Sequence, residues 1–384
     1  MKKIKASLLW GILFLALVGF WAYENNRNSN FVRAVVLSTD NSDVMQSGIA
    51  RIGSQELLLK VVDGKFKGQE VVGYNNLLGN LDIDAFYAPG DTVVAALRED
   101  HGKVVDAKAV DLYRQSWEFI LFGFFVLLLI IYAGNTGLRA IFSFIASLWV
   151  IWKNLIPGLL AGENPLLLSS GILFVLSAIV IFSVAGFTRK GLSAFLGTVA
   201  GLFVTIGITA FFGDKLGLLG TTLPYSSTLL FSGNIGLNMK QIFFAAIVIG
   251  ASGAAMDIGM DIASAMAEVK SKKPEIMCRE LIQSGFNVGR AVIGTMTTTL
   301  LLAYSGGYLT LLMLFASQDT DFVRIINYRM VAAEILRTVA GSIGLVLIAP
   351  ITAVIAGWIY SYNLEPLKSR VKSFLGKMQG IIRV

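Results

Sequence analysis

Residues 250–269 read "GASGAAMDIGMDIASAMAEV", directly after the apolar run "IFFAAIVI" at 242–249. Small and apolar residues continue far enough to build a helix of bilayer length, yet two aspartates stand inside it. Asp257 and Asp261 are four residues apart, so a helix puts them on one face, and Ser264 and Glu268 extend that stripe. An acid facing hydrocarbon costs about 2.5 kcal/mol or more, which makes an intramembrane carboxylate a candidate for function. If the helix begins near Lys240, Asp257 lies roughly 25 Å along it and Asp261 close to an interface. Glu268 falls beyond that interface, beside Lys270, Lys272 and Lys273.

The rest of the composition agrees with a membrane setting. Hydrophobic residues make up 55% of the chain and charged residues 15%, too few charges for a water-soluble surface of this size. The net charge of +7 does not indicate nucleic-acid binding, because the basic residues form short clusters beside apolar segments. One cysteine, Cys278, excludes an intrachain disulfide, and one histidine, His101, argues against a His-built catalytic or zinc site. No cofactor and no metal are expected.

Four regions are expected along the chain. Residues 1–29 carry Lys2, Lys3 and Lys5 ahead of an apolar stretch with no clear cleavage site, which reads as an uncleaved anchor entering from the cytoplasm. Residues 30–116 hold the β-prone runs "FVRAVVL", "ELLLKVV", "QEVVGY", "DTVVAALRED" and "KVVDAKAVDLY". Turn signals at Asp63-Gly64, Pro89-Gly90-Asp91 and His101-Gly102 separate them. Five or so strands in about eighty residues suit a small closed barrel of the OB or SH3 kind, with His101 solvated at a hairpin tip.

Residues 117–362 read as seven spans, near 117–133, 140–156, 166–186, 192–212, 240–264, 288–316 and 331–359, so that the anchor makes eight. Residues 363–384 form a basic tail. Arg139, Arg189, Lys190, the "KSKK" run at 270–273 and the tail basics place both termini in the cytoplasm. The β-rich domain is then extracytoplasmic. Residues 213–239 are too long and apolar for a plain exposed loop and suit an interfacial or re-entrant segment. Gly306-Gly307 and Pro350 are either hinges or tolerated breaks in the last two spans.

A lone acid in lipid needs partners, and the segment "SGFNVGRAVIGTMTTTLLL", 284–302, offers them on the return path. Arg290 could pair with Asp261 or Glu268, and Asn287, Thr295, Thr297, Thr298 and Thr299 bring amide and hydroxyl groups to comparable depths. The alternative for the threonines and glycines is close helix packing alone. Glu334 and Arg337, one turn apart, are expected to satisfy each other. Intramembrane aspartate catalysis needs acids from two helices, whereas both aspartates here share one, so no enzymatic role is expected.

The stretches "RIGSQELLLKVVDGKFKGQEV", "PGDTVVAALR", "AVDLYRQSWE", "GASGAAMDIGMDIASAMAEV" and "SGFNVGRAVIGTMTTTLLLAYSGGYLTLLM" resemble the YibE/F family of bacterial multi-pass membrane proteins over roughly 30–360. That resemblance implies a transmembrane protein, often one of a related pair, and brings no catalytic residues with it. The helix order around Asp257 is also similar to the core of the resistance-nodulation-division exporters and of SecD/SecF. In that pattern Asp257 would be the protonatable group, with Arg290 or Thr298 as neighbours.

The resulting expectation is a mainly α-helical polytopic plasma-membrane protein of about eight transmembrane helices with one small extracytoplasmic β-barrel-like domain. Its expected role is an ion (proton)-coupled transporter or exporter component. The alternative is a non-transporting scaffold or accessory subunit of a paired complex. Beyond the lipid bilayer, the partner would be a related second membrane protein or another copy of the chain, and not nucleic acid.

Overall fold

The computed structural model describes residues 31–361 except Asp82 and Asp319. The expected N-terminal anchor and basic tail lie outside the described residues. The chain divides into two compact units between Leu138 and Arg139.

Among the described residues the first unit contains six strands: β1 Phe31–Asp40, β2 Val44–Ser47, β3 Ala50–Val61, β4 Glu70–Leu78, β5 Thr92–Asp100 and β6 Lys103–Leu112. The sheet runs β1-β5-β6-β4-β3-β2 and closes through β1 against β3. All pairings are antiparallel except β4 with β6, which is parallel. Five strands therefore form a barrel in the order of an OB-fold, and β2 is an added ribbon on β3. The parallel β4–β6 pair distinguishes this from a meander. Alternate residues, among them Ala34, Val36, Leu57, Leu59, Val93 and Ala95, fill the interior.

Two buried residues in the barrel are polar, Gln55 and Asn75. Gln55 is fully buried and donates to the Tyr87 carbonyl at 2.8 Å and to Asn41 Oδ1 at 2.8 Å. Its Oε1 accepts from Tyr87 N at 3.1 Å and from Asn75 Nδ2 at 3.2 Å. These bonds fasten the β4–β5 crossover to the barrel wall. His101 stands at the β5–β6 tip with φ 47° and a side chain that is almost wholly exposed, as its place in the sequence implies.

The helices are α1 Gln115–Val150, α2 Ile156–Leu160, α3 Pro165–Ala185, α4 Arg189–Lys215, α5 Ser226–Phe231, α6 Met239–Lys272, α7 Cys278–Gly307, α8 Leu309–Ser317, α9 Phe322–Asn327 and α10 Arg329–Ser361. Among the described residues, five helical runs are long and apolar enough to cross a membrane, or six if the bent pair α7–α8 is one span. The sequence pattern divides 117–133 from 140–156. The helical run from Gln115 to Leu160 is broken between those two segments at Gly134, whose φ 54° and ψ −126° are not helical, so two helices meet there. Glycine tolerates that positive-φ conformation, so "AGNTG" at 133–137 separates two helical segments where the sequence pattern divides them.

The last two spans differ from expectation in detail. α7 begins ten residues earlier than 288 and breaks after Gly307, with α8 turned 67° away. Pro350, by contrast, lies within an unbroken α10. Residues between α4 and α6 form turns and the six-residue α5, so no long helix occupies the segment expected to be interfacial or re-entrant.

Helix ends carry their own stop and start signals. Asn164, Thr188 and Asn238 cap α3, α4 and α6 by accepting backbone N–H groups. Lys270 Nζ donates to the carbonyl of Pro274 at 2.7 Å and tidies the far end of α6. Inside the second unit, α10 packs on α4, α6 and α7, and α6 packs also on α3 and α4. Contacts between small residues allow this. A side chain at Gly197 of α4 would collide with Thr352 of α10, and one at Gly201 with Ile348. The resulting core runs through Val248, Ala255, Ile258, Ile262, Leu345, Ile348 and Ala353.

Candidate functional site

α6 is 34 residues long and buries Ala251, Ala255, Ile258, Ile262 and Met266 among its neighbours. At 100° per residue the opposite side must carry Gly250, Gly253, Asp257, Asp261 and Glu268, and all five are exposed. Ser264 of the expected stripe is half-buried, and the other members lie on a side of α6 that the described residues leave exposed. Asp257 and Asp261 form no hydrogen bond or ion pair among the described residues. Glu268 lies 3.7 Å from Lys272, an exposed pair one turn along the same helix.

The return helix α7 runs antiparallel beside α6. Gly285 lies against Met266, Gly289 against Ile262, and Gly250 against Tyr304. Arg290 is thus level with Asp261, and Gly294 and Thr295 are level with Asp257. The expected pairing still does not occur within the chain. Arg290 is exposed and lines a groove of about 270 Å³ between α7 and α10, with Phe286, Ile293, Val346 and Pro350.

The polar residues of α7 are also turned to other work. Asn287 accepts a long 3.4 Å bond from Gln283, its neighbour one turn back. Thr295 donates to Val292 O at 3.0 Å and Thr299 to Thr295 O at 3.1 Å, while Thr297 bonds the carbonyl of Ile293. Thr298 joins Thr297, Thr338 and Ser342 along a second groove between α7 and α10. None of these groups bonds to an aspartate.

A buried ionic cluster lies elsewhere in the bundle. Arg337 Nη1 is 2.9 Å from Glu334 Oε1, with both side chains under a fifth exposed. Arg337 also donates to the Tyr308 hydroxyl at 3.4 Å, and its guanidinium stands 5.8 Å from the centre of the Phe243 ring. The spacing of Glu334 and Arg337 disclosed the pair. The tyrosine joins only because α7 ends beside them, and its position next to Gly306-Gly307 was the one available hint.

The family model for YibE/F-like protein matches residues 121–362. The chain belongs to that family. The match includes α6 and α7 in full, with the acidic stripe and Arg290, and leaves out the β-barrel. No curated protein and no solved structure matches the chain. Family membership and the apolar helices of this YibE/F-like chain together point to a membrane protein.

Proposed function

We propose that this YibE/F-like protein is a plasma-membrane, ion-coupled transporter or exporter component, with the proton as coupling ion and Asp257 as the group that binds and releases it. One observation carries the reading. Asp257 sits well inside a helix of membrane-spanning length with no ion-pair or hydrogen-bond partner among the described residues. Structural acids in such surroundings are held by partners, as Glu334 is by Arg337. A carboxylate without one can change protonation state with little disturbance to its neighbours. Asp261 and Glu268 extend the same stripe toward the basic "KSKK" segment, giving a line of acids from the middle of the helix to its end.

The helix order supports the same reading by its similarity to the resistance-nodulation-division and SecD/SecF core. There too an acid-bearing helix is followed by a basic linker and a threonine-rich return. The positive clusters would place the linker and both termini in the cytoplasm, so the stripe would open to that side. We hold the chain not to be an enzyme, since its two intramembrane aspartates share one helix.

The rival reading, a non-transporting scaffold, draws on the threonines of α7, whose hydroxyls bond their own helix. Asp257→Asn separates the two, because it removes the charge and keeps the shape. Complementation of a deletion strain at normal protein level should fail for Asp257→Asn under proton coupling. Full complementation overturns the proposal and favours the scaffold.

A further inference from the structure

The acids of α6 and the arginine of α7 share a depth but face apart. Gly289 beside Ile262 sets Asp261 and Arg290 at one level. The glycine side of α7 is docked on both α6 and α10, which turns Arg290 to the α10 flank and leaves the aspartates on the other flank of α7. Among the described residues each flank is uncovered, and each carries one sign of charge, the acids on a helix long and apolar enough to cross a membrane and Arg290 on the first part of the bent pair α7–α8. Between the flanks, the exposed ridge of α7 is small or polar, with Gln283, Asn287, Ala291 and Gly294.

A two-fold axis along the bundle preserves depth and exchanges flanks. Two copies set ridge to ridge along α7 would therefore bring the acidic flank of each onto the arginine flank of the other. We propose that this chain forms a symmetric dimer in which Asp261 of one copy pairs with Arg290 of the other, twice over. The second copy is the occupant because the complementary charge, at the matching depth, is this chain's own. Small residues at the ridge permit the close approach such a contact needs. The same contact covers Asp257, one turn along the stripe, from lipid. The inference rests on the membrane reading but not on transport.

The test uses the full chain with Cys278→Ser, expressed in two differently tagged forms in one membrane. One carries Asp261→Cys and the other Arg290→Cys, and a short bis-maleimide reports on proximity. Recovery of the chain in membranes after an alkaline wash checks the membrane reading separately. The mixed pair should cross-link at least about tenfold more than either same-residue pair. The charge reversals Asp261→Arg and Arg290→Asp should each lower the dimer fraction in nanodiscs by about tenfold, and the double reversal should restore it. Equal cross-linking of mixed and same-residue pairs overturns the proposal, as does a monomer in nanodiscs or a double reversal that restores nothing. If a reversed variant fails to insert, the cysteine pair, which adds no charge, still decides the matter.

Discussion

Glu334 and Arg337 form a 2.9 Å ion pair one helical turn apart, with less than a fifth of either side chain exposed. Arg337 is additionally held by Tyr308 and lies near the Phe243 ring, so the pair ties α10 to the ends of α6 and α7. Removing one partner strands a charge that the bundle cannot hydrate. Arg337→Met should lower stability by about 3–5 kcal/mol, and replacing both residues by apolar ones should cost much less. Thermal unfolding of detergent-solubilised variants makes the comparison, and equal losses in single and double variants would count against it.

Gly197 illustrates a packing limit. Any side chain there meets Thr352 of α10, whereas Gly207 on the same helix has nothing within 4 Å. Gly197→Leu should therefore destabilise the second unit by about 1–3 kcal/mol. Gly207→Ala should be neutral or gain up to about 1 kcal/mol. The same melting measurement reads both.

In the barrel, Gln55→Leu should leave Tyr87 N, its carbonyl and the Asn75 amide short of partners, costing about 1–3 kcal/mol. Faster amide exchange at Tyr87, with little change at the β5–β6 tip, is the expected signature.

Tyr87 also gives the barrel an alkaline limit. Burial, with the Asp111 carboxylate as a lesser cause, pushes its phenol up from 10.0 to about 12. The folded state holds that proton more tightly than the unfolded chain does. The contribution is complete below pH 10, the unfolded value, and is lost as pH rises toward about 12. Tyr87→Phe should flatten that part of the pH–stability curve, and phenolate absorbance on titration should show one late-titrating tyrosine missing.

Sidedness can be read with thiol chemistry. With Cys278→Ser as background, Ser42→Cys should react with an impermeant reagent added outside intact cells. Native Cys278, at the start of α7, should be protected until the membrane is opened. The reverse pattern would invert the topology and the side to which the acidic stripe opens.

Local periodicity was enough for much of this molecule. Alternation in "EVVGY" and "TVVAAL" foretold strands, and glycine turns at 64, 90 and 102 foretold where they end. The apolar runs marked the long helices, and the four-residue spacing put Asp257 and Asp261 on one face whatever lay around them. Such features depend on backbone geometry within one segment, so the segment contains them. The closure of the barrel through β1 and β3, and the placing of Gln55 inside it, depended on strands far apart in the chain. So did the rotation of each helix about its own axis. Gly285 and Gly289 seat α7 on Met266, Ile262, Ala349 and Ala353, and that seating turns Arg290 toward α10 and away from Asp261 at equal depth. A helix's periodicity shows which residues share a face, but the neighbours it packs against determine where that face points.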